Sequence, residues 1–243
     1  MNQIPPPASL GFLYPGHAAE DDYPLMGGMI DPPARVNVIH TSFAEDAHTV
    51  EALSEMGSVE RLCSGAESLI GSDIESVMWT STSASFVLGL DGISEQIEAL
   101  EKILGVPAST TAMAFARAVK TINAKKVAIA ATYPEDVASR FRQFLGHFDI
   151  DVVHLASQGI VTAAEVGTLT KDDVIKLAQA NNRDDADALL IPDTALHSAA
   201  WLTDLEREIG KPVLTANQVS FWEALRLCGK LTPQRGLGHL FEA

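Results

Sequence analysis

SVMWTST (residues 76–82) and ALLIPDT (188–194) share one design. Each is a short apolar run closed by small polar and turn-forming residues. Such a run reads as a strand buried on both faces, the kind found inside parallel sheets. The doubling continues on either side. GFLYPGHAAED (11–21) parallels AIAATYPED (128–136), and GVPASTTA (105–112) parallels GKPVLTAN (210–217). The chain is an internal duplication with four strands in each half. The strands are expected at 9–15, 35–42, 74–80 and 105–110, then at 125–131, 150–156, 186–192 and 211–216. Helical periodicity fills the gaps at 48–70, 93–104, 111–122, 134–148, 170–182, 199–210 and 220–229.

Strands that alternate with helices of ten or more residues build parallel sheets covered by helices. The expected fold is α/β, with two pseudo-symmetric lobes. Each lobe is a four-stranded parallel sheet flanked by helices, and a cleft lies between them. The last helix follows the final strand of the second half and is expected to return to the first lobe. That divides the chain into 1–118 plus 217–243, and 119–216. The helix face AMAFARAV (112–119) serves a homo-oligomer or a core equally well.

The totals exclude several classes. Of 243 residues, 47% are hydrophobic, enough for a sizeable core, and the net charge is −15. No Lys/Arg cluster appears, which argues against nucleic acid and against an anionic membrane surface. No apolar run approaches the roughly 18 residues that span a bilayer. The opening MNQIPPPASLGFLY has three prolines and no basic stretch, so no signal peptide is expected. Cys63 and Cys228 are too few for a disulfide framework and read as two buried thiols in a reducing cytoplasm.

Ligands of parallel sheets collect at the carboxyl ends of the strands. Four loops, 14–18, 80–85, 132–136 and 192–197, are expected to face the cleft. In the duplication Ser81 aligns with Asp193, Thr82 with Thr194 and Tyr14 with Tyr133. LGLDG (88–92) reads as a turn, and Glu20, Asp21 and Asp22 as solvated helix-start residues. No metal-ligand spacing and no dinucleotide fingerprint appears, so no metal and no cofactor is expected.

TSASF (82–86), VPASTTAMAFARAVKTINAKKVAIAATYPEDV (106–137), the DALLIP strand (187–192) with its loop, and GKPVLTANQVSFWEALRLCG (210–229) together resemble the aspartate/glutamate racemase superfamily. The similarity is to its arylmalonate decarboxylase and maleate cis-trans isomerase branch. The resemblance implies cofactor-independent chemistry on a small carboxylate. It implies that Thr82, Ser83 and Tyr133, with adjacent amides, hold that carboxylate and its enediolate. Tyr14 and Thr194, their counterparts in the duplication, join the candidate binding set. In that superfamily a cysteine follows the third strand of each lobe. Here those positions hold Ser81 and Asp193.

Ser81 has no histidine or lysine in its loop to activate it, so it is expected to serve as an auxiliary hydrogen-bonding group. Asp193 is the candidate acid or base, since desolvation and an anionic substrate would both favour its protonated form. The rival role for Asp193 is the N-cap of a helix starting near Leu196. The rival role for the hydroxyls of 80–85 is to cap a helix beginning near Ser85. His17 and His197 are either the missing base or ordinary surface histidines. Three functions stay open: a lyase or isomerase, a hydrolase or hydratase with Asp193 activating water, and a carboxylate-binding protein that has lost catalysis.

Overall fold

The computed structural model describes residues 6–16 and 18–243. Residues 1–5 of the N-terminal reading, and His17, lie outside them. The first sheet holds β1 (Ser9–Pro15), β2 (Arg35–Thr41), β3 (Ser76–Trp79) and β4 (Ala108–Thr110) in the order β2-β1-β3-β4. The second holds β5 (Lys126–Ala131), β6 (Asp151–Ser157), β7 (Ala188–Ile191) and β8 (Val213–Thr215) in the order β6-β5-β7-β8. Every pairing is parallel. Two identical four-stranded topologies therefore stand side by side, as the repeat predicts. The central strands β3 and β7 are wholly buried, which is why their sequences are unbroken apolar runs.

The helices are α1 (Asp22–Met29), α2 (Val50–Met56), α3 (Val59–Ala66), α4 (Ser83–Phe86), α5 (Gly89–Leu104) and α6 (Thr111–Thr121) in the first half. The second half has α7 (Glu135–Gly146), α8 (Ala163–Val166), α9 (Lys171–Asn181), α10 (Leu202–Ile209) and α11 (Ala216–Leu227). Two expectations change here. The helix expected over 48–70 breaks at Gly57. A Cβ on Gly57 would lie 2.0 Å from the Ala84 carbonyl oxygen. The Gln96 side-chain amide donates to both Gly57 O and Ala84 O, at 2.8 and 2.9 Å. LGLDG is no free turn, because α5 already begins at Gly89.

α6 and α11 lie against each other where the lobes meet. Ala112, Ala114, Phe115, Ala116, Ala118 and Val119 are all buried within this chain, so AMAFARAV is core. Phe115 meets Phe141 of α7 edge-on at 5.4 Å, which ties the first half to the second. α11 packs on α6, β3 and β4. Ser76 Oγ donates to Ala224 O at 2.9 Å, and the Arg117 and Arg226 guanidiniums both pair with the fully buried Glu223.

The strand registers test the duplication residue by residue. Leu13 stands beside Trp79, and Ile129 beside Leu190. Trp79 faces Thr110, and Ile191 faces Thr215. Counting onward from these, Ser81 matches Asp193 and Thr82 matches Thr194. Tyr14, however, matches Ala131, and Tyr133 matches Gly16. The expected equivalence of the two tyrosines is wrong by two residues. Tyr14 belongs to β1 itself, whereas Tyr133 stands beyond the end of β5.

Candidate active site

A cavity of about 340 Å³ opens where the carboxyl ends of the two sheets face each other. Tyr14, Thr41, Ser81 and Ser83 line it from the first lobe, and Asp193, Thr194, Ala195 and Ala163 from the second. Phe43, Asp46 and His48, on the stretch between β2 and α2, complete the wall.

On the first-lobe side, β3 ends by strapping itself to β1. Thr80 donates from both N and Oγ1 to Leu13 O, at 2.9 and 2.6 Å. The chain then turns directly into α4. Ser81 Oγ accepts from Ala84 N at 3.3 Å, and Ser81 O accepts from Ser85 Oγ at 3.1 Å. The helix thus begins at Ser83, earlier than expected, and only Ser81 among the hydroxyls caps it. Ser83 lines the cavity. Thr82 Oγ1 is buried and has no hydrogen-bond partner among the described residues.

On the second-lobe side, Asp193 is 6% exposed. Its Oδ1 accepts from Ala195 N at 2.9 Å, and its Oδ2 accepts from Thr132 Oγ1. No helix starts at Leu196, where the chain makes a turn closed by Leu196 N on Asp193 O at 3.3 Å. The next helical residues are Ala199–Trp201, in a 3-10 turn. The helix-capping role weighed for Asp193 is therefore overturned, and its carboxylate shapes a loop.

The two tyrosines have different tasks. Tyr14 Oη donates to Thr194 O at 2.9 Å and accepts from Ala19 N at 3.0 Å. Its hydroxyl is occupied in holding the Asp193 loop. Tyr133 Oη is buried and, like Thr82 Oγ1, has no partner among the described residues. Burial pushes the Tyr14 phenol well above its ordinary pKa, and burial plus the charge of Asp193 does the same to Tyr133. Both stay neutral O–H donors. Neither Tyr133 nor Thr82 lines the cavity itself. Thr82 sits between two residues that do, and the Tyr133 ring packs on the His48 ring at 5.9 Å and on Phe86 of α4 at 6.1 Å. A buried hydroxyl left unpaired costs about 1–3 kcal/mol. A ligand oxygen that reaches these two would remove that cost.

Asp22 is not solvated. It is buried, and a single oxygen, Oδ2, accepts from Ser198 N at 2.9 Å, Ala199 N at 3.1 Å and Asn217 Nδ2 at 3.0 Å. Burial lifts its pKa despite those donors. His197 lies outside the cavity lining and pairs with Asp21 at 2.9 Å. Cys63 and Cys228 are free and half-buried, not the fully buried thiols expected, and neither reaches the cavity. Among the described residues no group of three His, Cys, Asp or Glu side chains is placed to hold a metal ion. No helix among them is long and apolar enough to cross a membrane.

The sequence reading missed His48, Asp46 and Thr132. His48 is 7% exposed, its Nδ1 donates to Ile160 O at 2.9 Å, and its backbone N donates to Val161 O at 2.8 Å. The Asp46 carboxylate accepts from Ala163 N and Ala164 N at 2.8 and 3.1 Å. These bonds draw the stretch before α2 across the cleft onto the second lobe. Nothing local marks them, since the His48–Ile160 bond joins residues 112 apart.

The backbone closely follows that of solved proteins. Maleate isomerase Iso from Pseudomonas putida S16 superposes with a TM-score of 0.86 at 18% identity, covering 97% of this chain and 98% of that one. A liganded arylmalonate decarboxylase variant superposes with a TM-score of 0.85 at 22% identity, covering 98% and 99%. At these identities the likeness is one of fold. In sequence, the chain is 29% identical over 166 residues to arylmalonate decarboxylase from Bordetella bronchiseptica, covering 66% of this chain and 68% of the relative. It is 25% identical over 136 residues to maleate isomerase from Alcaligenes faecalis, covering 56% of this chain and 54% of that relative, about half its length. The arylmalonate decarboxylase family model matches residues 28–241. With the duplicated sheets and the shared cavity between them, this shows that the chain belongs to the arylmalonate decarboxylase family.

Proposed function

We propose that this protein is a cofactor-independent lyase or isomerase that carries a small mono- or dicarboxylate through an enediolate-type intermediate. The observation that carries the reading is a carboxyl, Asp193, sharing one cavity with Ser83, while the hydroxyls of Thr82 and Tyr133 wait unpaired just behind its wall. An enediolate gathers negative charge on two oxygens, and fixed neutral O–H and N–H donors stabilise that charge without prior reorganisation. Ser83, Thr82 and Tyr133 supply such donors. A chain of net charge −15 repels anions at long range, so the attraction has to be local.

Asp193 is the proton-transfer group. As an acid it delivers a proton to the carbon of the enediolate. As a base it removes the proton that creates one. Thr132 and Ala195 fix its two oxygens, so its direction is set before substrate arrives. Ser81 keeps its Oγ on the turn into α4 and acts as an auxiliary hydrogen-bonding group. Tyr14 and Thr194 secure the loop through the bond between them.

The test is incubation with malonates, maleate, aspartate, glutamate and hydroxy-diacids in D₂O, followed by proton NMR. Replacement of a carboxyl by deuterium establishes a decarboxylase. Deuterium exchange or cis-trans conversion without carbon loss establishes an isomerase. Thermal stabilisation by a ligand whose spectrum never changes overturns the enzymatic reading and leaves a binding protein.

A further inference from the structure

We infer that Thr41 receives an uncharged oxygen of the substrate, a hydroxyl or a carbonyl, held across the cavity from the enediolate donors. This rests on the carboxylate chemistry proposed above and names a further group that the substrate carries.

Six buried side-chain atoms among the described residues lack a hydrogen-bond partner. Thr41 Oγ1 is one of them, and Thr41 alone of those six residues lines the cavity. Thr41 ends β2 and is the one fully buried residue of that strand. A Cβ on Gly65 of α3 would lie 2.7 Å from Thr41 Cγ2, so the glycine makes room for that methyl. The methyl is thereby seated against α3, and the hydroxyl occupies another branch of Cβ. A buried hydroxyl without a partner destabilises the empty protein, and valine would fill the same outline without that cost. A ligand oxygen within reach turns the cost into binding. A threonine hydroxyl both donates and accepts, so it suits a hydroxyl or a carbonyl alike. The group it receives is neutral, because two carboxylates, Asp46 and Asp193, line the cavity and, among the described residues, no lysine or arginine does.

The sheet sets Thr41 apart from the hydroxyls beyond β3. Thr41 stands level with Pro15, and Leu13 with Trp79. Counting on from that second pair, Pro15 is level with Ser81. The order β2-β1-β3 then puts two strand spacings, about 10 Å, between Thr41 and Ser81. A hydrogen bond of about 3 Å at each end leaves room for a chain of a few atoms between them. One end of the substrate is the carboxylate that meets Ser83, Thr82 and Tyr133. The other end is the oxygen at Thr41. Phe43, Leu53 and Met56 of the same lining suit the carbon chain that joins the two.

The experiment is calorimetric titration of the full chain with 4-hydroxybutyrate and with pentanoate, monocarboxylates of equal length in which a terminal hydroxyl replaces a methyl. In Thr41→Val the ratio of the two affinities is expected to move about tenfold towards pentanoate, the worth of one hydrogen bond. Thr41→Ser keeps the hydroxyl and is expected to keep the wild-type ratio. Free Thr41→Val is expected to melt at or above wild type, since an unpaired buried hydroxyl is gone. A hydroxyl that served only the fold would instead lower the melting temperature and leave the ratio alone. Should Thr41→Val fail to fold, Thr41→Ala removes the same hydroxyl and carries the ratio test. A ratio that ignores loss of the hydroxyl overturns the inference, and pentanoate binding then leaves the carboxylate reading standing. An equal shift in Thr41→Ser traces the effect to the methyl and overturns it too. Absence of saturable 4-hydroxybutyrate binding by wild type overturns it as well, and the D₂O screen judges the carboxylate chemistry apart from it.

Discussion

The loops after β3 and β7 occupy the same place in two copies of one topology, yet they are built in opposite ways. The 80–86 loop is local. Thr80 straps back to the adjacent strand, Ser81 caps the next turn, and α4 begins at once. The 192–198 loop makes no helix and depends on residues far away. Tyr14 holds Thr194 O, Asp22 gathers Ser198 N and Ala199 N, and Asn217 Nδ2 reaches Leu196 O at 3.3 Å. Thr132 takes Asp193 itself. A position that closes its own turn keeps its side chain occupied, as Ser81 does. Asp193 spends one oxygen on its own turn, through Ala195 N, while Thr132 from β5's end holds the other, so its carboxyl is presented to the cavity by the rest of the molecule.

The largest test of that contrast is Asp193→Asn. It keeps a side-chain acceptor for Ala195 N and removes proton transfer, so kcat/KM is expected to fall about 10²–10⁴-fold. Steady-state kinetics on whichever diacid the NMR screen identifies gives the answer, and full activity would remove Asp193 from the chemistry.

Tyr14→Phe strikes the suspension of the second loop. It leaves Thr194 O and Ala19 N without their buried partner, at a cost of about 1–3 kcal/mol. Thermal denaturation should register this as a fall of roughly 2–4 °C per kcal/mol, accompanied by lower kcat because Asp193 loses its support. An unchanged melting temperature would show that the loop holds itself.

Asp22→Asn acts in the other direction. Burial raises the Asp22 pKa in the folded state, so its stabilising contribution is complete below the unfolded value and is lost as pH rises through the folded one. All its donors converge on one oxygen, which an asparagine carbonyl can replace. The variant should melt above wild type at neutral pH by on the order of a few degrees. The gap should close as pH falls towards 4, the ordinary range of a carboxyl. Melting curves at several pH values decide, and a gap that widens in acid would contradict the burial argument.

Ser81→Ala should do least. One 3.3 Å bond to Ala84 N disappears from a short helix, worth about 1 kcal/mol or less. Activity within a few-fold of wild type fits an auxiliary role. A loss as deep as that of Asp193→Asn would mean that the two lobes contribute equally to the chemistry.

The apolar runs and turn residues of the sequence were sufficient for the strand positions, the duplication and the equivalence of Ser81 with Asp193, and the order of strands within each sheet came only from the structure. Each of those depends on side-chain periodicity over a few neighbouring residues. The pairing of Tyr14 with Tyr133 failed because matching tyrosine–proline text does not reveal where a strand ends. Asp22 looked solvated because its run is acidic, and its partners at 198, 199 and 217 are invisible locally.

By itself, then, the sequence determined two parallel sheets, the loops at their carboxyl ends and the absence of cysteine from both of them. Only the tertiary structure decided that Tyr14 supports a loop, that Thr82 and Tyr133 stay unpaired, and that His48 enters the cavity. The reason is physical. Periodicity is written in adjacent residues, whereas these outcomes depend on hydrogen bonds and burial between lobes, such as the Tyr14–Thr194 bond across 180 positions of chain.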